Sequence, residues 1–272
     1  MSLFFYGLYT LLGTFNLTDK NNRMIDLRLG DCLEVMKTIE DNSIDAIITD
    51  PPYGTTACKW DNVIDFELMW EQLNRIIKPN GAIVLFGSEP FSSALRMSNI
   101  KNYKYDWVWE KSKAGNFQLA KRQPLKITEN IIIFNEKNNY YPIAREQTEA
   151  TKKIYKKHGD NLGGKIGNLK HMASGTYRHD FKFGKDFGYP KNIIKHNNGM
   201  KKNRYHPTQK PVDLMEYLIK TYTKENETIL DFTMGSGSTM VACKNLNRNG
   251  IGIEQDEKYF KIAQERINST LF

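Results

Sequence analysis

Cysteine is scarce. Only Cys32, Cys58 and Cys243 occur in 272 residues, too few and too unevenly spaced for a disulfide framework or a metal-binding cluster. Such sparing use suits a reducing compartment, and a cytoplasmic protein is expected. The five histidines include no pair at ligand spacing, so no metal site is expected. Long apolar runs are also missing. Residues 2–17, SLFFYGLYTLLGTFNL, are apolar but lack a basic start and a cleavage site. They are broken by glycine and fall short of the roughly 20 residues that a membrane span needs. Residues 1–23 therefore read as an N-terminal extension, docked or frayed, that the fold does not need. No internal repeat is present. Acids are outnumbered, 31 against 39 Lys plus Arg, and the formal charge of +8 favours polyanionic partners or plain solubility.

What is there is periodic. MIDLRLGD (24–31) alternates like a strand, CLEVMKTIED (32–41) has helical spacing, and SIDAIITD (43–50) is a continuous apolar run of the kind buried in a parallel sheet. Residues 65–81 predict an amphipathic helix stopped by Pro79 and Gly81, followed by a buried strand over 82–87. A helix around 90–98 and strands near 104–110 and 127–135 come next. Further on, the pattern predicts a helix over 211–223, a strand over 228–232, a helix over 238–248 and a strand over 250–254. Strands alternating with helices imply an α/β fold: a doubly wound, mostly parallel sheet with helices on both faces.

Between these halves the composition changes. Residues 151–204 hold fourteen Lys or Arg against three acids, so this stretch alone exceeds the surplus of the whole chain. Glycines and aromatics are interleaved there and apolar periodicity is weak. The region 138–204 reads as an inserted basic lobe between a segment 24–137 and a segment 205–272. One reading is a solvated basic surface. The other is a phosphate-backbone contact, where cations release counterions and aromatics stack on bases. Its candidate contacts are Lys152, Lys153, Lys156, Lys157, Arg178, Lys201, Lys202 and Arg204.

Two strand ends carry chemistry. In ETILDFTMGSGSTM a strand ends at Asp231, Gly235 and Gly237 let a backbone approach a ligand closely, and a helix starts near Ser238. The next strand ends in Glu254, placed to accept from two ribose hydroxyls. Met240 stands where a dinucleotide fingerprint has its third glycine, and no lysine follows the glycines. A nucleoside without a pyrophosphate remains, and S-adenosyl-L-methionine fits, although a purely structural turn reads equally well. In TDPPYG, the apolar run ends in Asp50, Pro51, Pro52 and Tyr53. Two prolines fix φ and remove two N–H donors, leaving carbonyls free to accept. Asp50 adds a second acceptor and Tyr53 a flat face, a set suited to the exocyclic amine of a planar base. The competing reading is a capped turn.

Together TDPPYG (49–54), LDFTMGSGST (230–239), HPTQKPVDLMEYLI (206–219) and DWVWEKSKAGNFQLAKRQPLKITENIIIF (106–134) resemble the amino-group DNA methyltransferases, which methylate adenine N6 or cytosine N4. The motif order is similar to their permuted β group, and the resemblance covers nearly all of 24–268. It implies a class I S-adenosylmethionine-dependent methyltransferase fold with an inserted target-recognition lobe. It also implies double-stranded DNA as substrate, and the company of a homodimer partner and a cognate restriction endonuclease. Asp50 and the Pro51 carbonyl would accept from the target amine, Pro52 would hold the turn, and Tyr53 would stack on the flipped base. Gly235, Ser236 and Gly237 would line the methionine part of the cofactor, with Glu254 on its ribose and Asp31 and Cys32 on its adenine side. Thr208 and Lys210 match a segment near the cofactor carboxylate. Asp50, in a second role, and Asp231, Phe232 and Ser238 complete the expected cofactor set. One departure is Phe232-Thr233-Met234, where the family commonly has Pro-Phe after the aspartate. Asp at the head of the motif resembles the N6-adenine subset, with N4-cytosine as the alternative. RNA bases and protein glutamine amides are related substrates. A non-catalytic nucleic-acid-binding protein and a nicotinamide oxidoreductase are the readings from other classes.

Overall fold

A computed structural model describes residues 8–10, 13–18, 23–55, 61–158, 186–198 and 205–269. In chain order the elements are β1 (Leu8–Thr10), β2 (Thr14–Thr18), β3 (Met24–Leu29), α1 (Cys32–Met36), β4 (Ile44–Thr49), α2 (Phe66–Ile76) and β5 (Ile77–Gly87). Then come α3 (Phe91–Ser98), β6 (Tyr103–Gly115), β7 (Lys126–Phe134), β8 (Arg145–Glu146), α4 (Glu149–His158), β9 (Phe187–Gly188) and β10 (Ile193–His196). The chain closes with α5 (Val212–Tyr222), β11 (Thr228–Asp231), α6 (Ser238–Asn245), β12 (Asn249–Glu254) and α7 (Glu257–Ser269). None of the described helices is long and apolar enough to cross a membrane.

The chain divides into two units, Met1–Tyr141 with Asn192–Phe272, and Pro142–Lys191. The larger unit holds a ten-stranded sheet in the order β1-β2-β3-β12-β11-β4-β5-β7-β6-β10. Strands β3, β12, β11, β4 and β5 are mutually parallel, while β2 and β7 run antiparallel to their neighbours. Side chains alternate across the pleat. On β5, Ala82, Val84 and Phe86 face one core with α5, α6 and α7, and Ile83 and Leu85 face the other with α1, α2 and α3. Helices thus cover both faces, as the alternating pattern implies.

This topology positions a site. Four parallel strands end side by side, and each ends on or just before an acid: Asp31 after β3, Glu254 on β12, Asp231 on β11 and Asp50 after β4. Open α/β sheets bind ligands outside these carboxyl ends.

Local differences from the sequence pattern have simple causes. Helix α2 ends at Ile76, not at Pro79, because Ile77 already turns extended (φ −72°, ψ 138°) and begins β5. Gly81 then lies against Asp45, where a Cβ would come within 2.8 Å of a backbone oxygen. Strand β2 pairs with β3 and buries Phe15 and Leu17, so residues before Met24 supply a sheet edge, a role the sequence alone did not suggest. Likewise β10, within the stretch read as the inserted lobe, pairs with β6 in the main sheet.

The smaller unit holds the β8–β9 ladder and α4. Arg145 Nε donates to the Tyr189 carbonyl at 2.9 Å. On α4, Lys152 pairs with Glu149 at 2.9 Å, while Lys153, Lys156 and Lys157 are exposed. Arg178, Lys201, Lys202 and Arg204 lie outside the described residues.

Candidate active site

The loop after β4 is built to be stiff. Pro51 and Pro52 contribute no N–H, and the next three amides, of Tyr53, Gly54 and Thr55, all donate to the carboxylate of Asp61 at 2.8, 2.9 and 2.9 Å. Gly54 takes a left-handed φ of 67°, which glycine adopts without steric cost. Buried Asp61 therefore fastens the turn from outside it, a part that no sequence motif announced. Among the described residues nothing donates to the Pro51 carbonyl.

Asp50 is held at both carboxylate oxygens. Tyr53 donates its hydroxyl to Oδ1 at 2.5 Å, and Lys210 donates Nζ to Oδ2 at 2.5 Å. Lys210 lies also 3.4 Å from Glu129 Oε2, and Lys111 donates to Glu129 Oε1 at 2.8 Å. Two acids and two lysines thus alternate in a row. Burial pushes the Asp50 carboxyl up despite Lys210, and the Glu129 charge adds to that rise. Burial works the same way on Glu129, but its two lysines outweigh it and hold that carboxyl below its usual range. The Tyr53 ring stacks on Phe91, with centroids 5.0 Å apart, which fixes its plane.

The neighbouring strand end is organised differently. Asp231 Oδ1 accepts from the Thr49 hydroxyl at 2.6 Å and the Thr233 amide at 3.2 Å, and Oδ2 accepts from the Thr239 hydroxyl at 2.5 Å. Burial pushes its carboxyl up to about 6. Thr233, at the departure from the family pattern, donates its hydroxyl to the Asp50 carbonyl at 3.0 Å and lies 2.7 Å from the Thr49 hydroxyl. That one side chain ties the ends of β4 and β11 together. Phe232 beside it is buried among the residues packed against α2.

The glycine turn follows. Gly235 has φ 53° and donates its amide to Glu254 Oε2 at 2.9 Å, while Glu254 Oε1 accepts from the Asp256 amide at 2.8 Å. Burial raises the Glu254 carboxyl. Arg266 donates to the Ser236 carbonyl at 2.6 Å and reaches Ser238 Oγ at 3.4 Å. Asp31 caps α1, its Oδ1 accepting from the amides of Leu33 at 2.9 Å and Glu34 at 3.2 Å. Burial and the neighbouring Asp31 push the Cys32 thiol up to about 12, so it stays protonated. Thr208 Oγ1 lies 3.0 Å from His206 Nδ1 in the segment leading to α5.

One cleft of about 1430 Å³ is lined by Asp31, Cys32, Asp50, Pro51, Pro52, Tyr53, Thr208, Lys210, Asp231, Phe232, Gly235, Ser236, Ser238 and Glu254. This exceeds the roughly 300–1,000 Å³ usual for one small ligand, so two ligands fit side by side. Two expected contacts have other partners in the structure. Gly237 caps α6 with φ 76°, and a Cβ there would meet the Ala263 Cβ at 3.1 Å, so its lack of a side chain serves packing on α7. Lys210, expected near a cofactor carboxylate, lines the cleft and pairs with Asp50 and Glu129, because a buried cation settles on the acids that share its burial. Sequence reading also passed over Glu129, Lys111 and Phe91; a lone acid beside the apolar run of TENIIIF was the available signal for the first.

Known proteins resemble this chain in sequence and fold. The type II methyltransferase M.HpaI of Haemophilus parainfluenzae is 28% identical over 259 residues, covering 90% of this chain and 75% of its own length. M.BglII of Bacillus subtilis is 28% identical over 263 residues, covering 88% of this chain and 68% of itself. Among solved structures, the M1.HpyAVI–SAM complex superposes with a TM-score of 0.59 at 26% identity, over 89% of this chain and 98% of that one. PvuII DNA methyltransferase, cytosine-N4-specific, matches at TM-score 0.61 over 89% of each chain, at 15% identity a likeness of fold alone. The sheet, its acidic carboxyl edge and these superpositions define a class I methyltransferase fold. Within that class the DNA methylase family model, N6_N4_Mtase, matches residues 44–265, and the chain belongs to this family.

Proposed function

We propose that the protein transfers a methyl group from S-adenosyl-L-methionine to the N6 amino group of an adenine flipped out of double-stranded DNA. The observation that carries this reading is the Asp50 cradle: a carboxylate and a prolyl carbonyl at the end of a central parallel strand, with an aromatic ring beside them. The residues around the glycine turn fit the cofactor. Glu254 retains acceptor capacity for a ribose diol, Gly235 leaves the backbone bare, and Asp31, Asp50 and Glu254 surround the cleft with negative charge suited to a cation. Arg266 and Lys210, which would favour a pyrophosphate, are engaged elsewhere.

When bound, S-adenosylmethionine supplies a methyl group activated by its sulfonium charge. The chain supplies placement and proton handling. Asp50 and the Pro51 carbonyl accept the two N–H bonds of the amine, which draws its nitrogen from planar towards tetrahedral and localises the lone pair. Donors preset on Asp50, from Tyr53 and Lys210, hold that geometry before the base arrives, which is catalysis by positioning. Raised by burial, Asp50 is also the group poised to take the proton that the amine releases. Extruding the base costs a few kcal/mol of stacking, and the Tyr53 ring, backed by Phe91, offsets part of it.

In this reading residues 24–137 form the catalytic half and 205–272 the cofactor half, and 138–204 recognise the target. Lys152, Lys153, Lys156, Lys157, Arg178, Lys201, Lys202 and Arg204 serve as phosphate contacts. A cytoplasmic location, a second copy and a cognate endonuclease are the setting expected of a restriction-modification enzyme. The test is transfer of labelled methyl to mixed-sequence duplex DNA followed by nucleoside analysis. Label is expected in N6-methyladenine and absent with Asp50→Ala. Label in N4-methylcytosine would replace the base assignment, and activity in the Asp50→Ala protein would overturn the mechanism.

A further inference from the structure

Residues 111–128 contain five cations, Lys111, Lys113, Lys121, Arg122 and Lys126, and no acid. They run from the end of β6 round to β7, well before the basic lobe, and the reaction above uses none of their tip. That tip is ordered by its own bonds. Asn116, at a left-handed φ of 54°, accepts the Lys126 amide through Oδ1 at 2.8 Å and donates Nδ2 to the Pro124 carbonyl at 3.4 Å. Phe117–Leu119 form a single 3-10 turn. The stem is clamped as well: Asn198 accepts the Lys113 amide at 2.8 Å and donates to the Lys113 carbonyl at 3.0 Å.

On this braced tip the apolar side chains point to water. Phe117 is 66% exposed, and Leu119, Leu125 and Ile127 are 40% exposed or more. A single exposed aromatic is unremarkable on a protein surface, but a cluster ringed by cations is not. Among the described residues Lys113, Lys121 and Arg122 form no ion pair, so their charge is available to a partner. Phe117 also lines the cleft that holds Asp50 and Tyr53. A ligand in that cleft is therefore within reach of the tip.

A base that leaves a duplex leaves a gap in the stack, and apolar side chains of several DNA-bending proteins enter such steps while cations neutralise phosphates beside them. We propose that the hairpin end 113–125 is a second DNA-contacting element, in which Phe117 enters the base stack beside the extruded nucleotide and Lys113, Lys121 and Arg122 hold the flanking phosphates. The proposal rests on the DNA methyltransferase reading above. It assigns the tip to duplex DNA and not to a protein partner, because the charge surplus and the position at the cleft are both explained by DNA.

The experiment measures methyl transfer to mixed-sequence duplex DNA, S-adenosylmethionine affinity, and the salt dependence of duplex binding. Phe117→Ala is expected to lower transfer at least tenfold with cofactor affinity unchanged, and Phe117→Trp, which keeps a flat apolar wedge, to restore it to within about threefold of wild type. Replacing Lys121 and Arg122 together by Gln is expected to reduce the slope of log affinity against log salt by about two, one for each phosphate contact. Transfer by Phe117→Ala within twofold of wild type would overturn the proposal and leave the tip to a protein partner. Equal loss of cofactor affinity would overturn it by placing Phe117 on the cofactor side, and an unchanged salt slope would remove the phosphate contacts. Failure of the wild-type protein to methylate DNA would sink the functional reading itself, whereas an active wild type with an indifferent Phe117→Ala sinks only the wedge.

Discussion

Strands β4 and β11 lie side by side in the sheet and each ends in an aspartate, yet the two carboxylates are held in opposite ways. Asp231 accepts from two threonine hydroxyls and a backbone amide, all neutral donors. Asp50 is held by a phenol and by a lysine that a second acid, Glu129, also claims. Neutral donors saturate a carboxylate and make it part of the frame. A shared cation leaves its charge state adjustable, because whatever changes Asp50 is felt by Lys210 and Glu129. Position on the carboxyl edge therefore does not set how an acid is held; its partners do.

The sharpest break of this contrast is Asp50→Asn. It is expected to lower methyl transfer by about 10²–10⁴-fold with cofactor affinity nearly unchanged, as read by single-turnover kinetics and calorimetry. Retained activity would erase the distinction between the two strand ends. Next, Lys210→Met leaves the buried Asp50 without its counter-charge and Glu129 with Lys111 alone, and urea unfolding should show a loss of roughly 3–5 kcal/mol.

Asp231→Asn sharpens the other side. In the fold the Asp231 carboxyl titrates near 6, above its ordinary 3.8, so the native state holds the proton more tightly than the unfolded chain. Its contribution to stability is full below pH 4 and is lost as pH rises through 6, a slope worth about 3 kcal/mol in all. The Asn variant should lose that slope, of which unfolding curves at pH 4.5 and pH 7 read about 2 kcal/mol. The smallest effect belongs to Glu129→Gln. Removing a charge that raises the Asp50 carboxyl should move the acid limb of the pH–kcat profile to lower pH. A fixed limb would mean that Glu129 only packs.

Much of this was legible in advance where the signal is local. The run from Ile44 to Ile48 is apolar apart from Asp45, as a strand covered on both faces must be, and the two prolines after Asp50 marked the stiff turn that follows it. Helix α7 was readable but unread: Phe260, Ala263 and Ile267 recur at helical spacing and bury one face. The 138–204 segment hid β10, because four residues that pair with β6 at the sheet edge carry too short a pattern to stand out. Gly237 illustrates a different limit. Its left-handed turn was foreseeable, but its neighbour Ala263 was not.

The amino-acid sequence by itself determined the alternating strands and helices, the rigid prolyl turn, the glycine turn and the family, since each depends on residues close along the chain. Only the tertiary structure decided who holds whom. Lys210 meets Asp50 across 160 residues and Thr49 meets Asp231 across 182. Such pairings follow from strand order and burial, which bring distant side chains into one low-dielectric space and make each find its partner there.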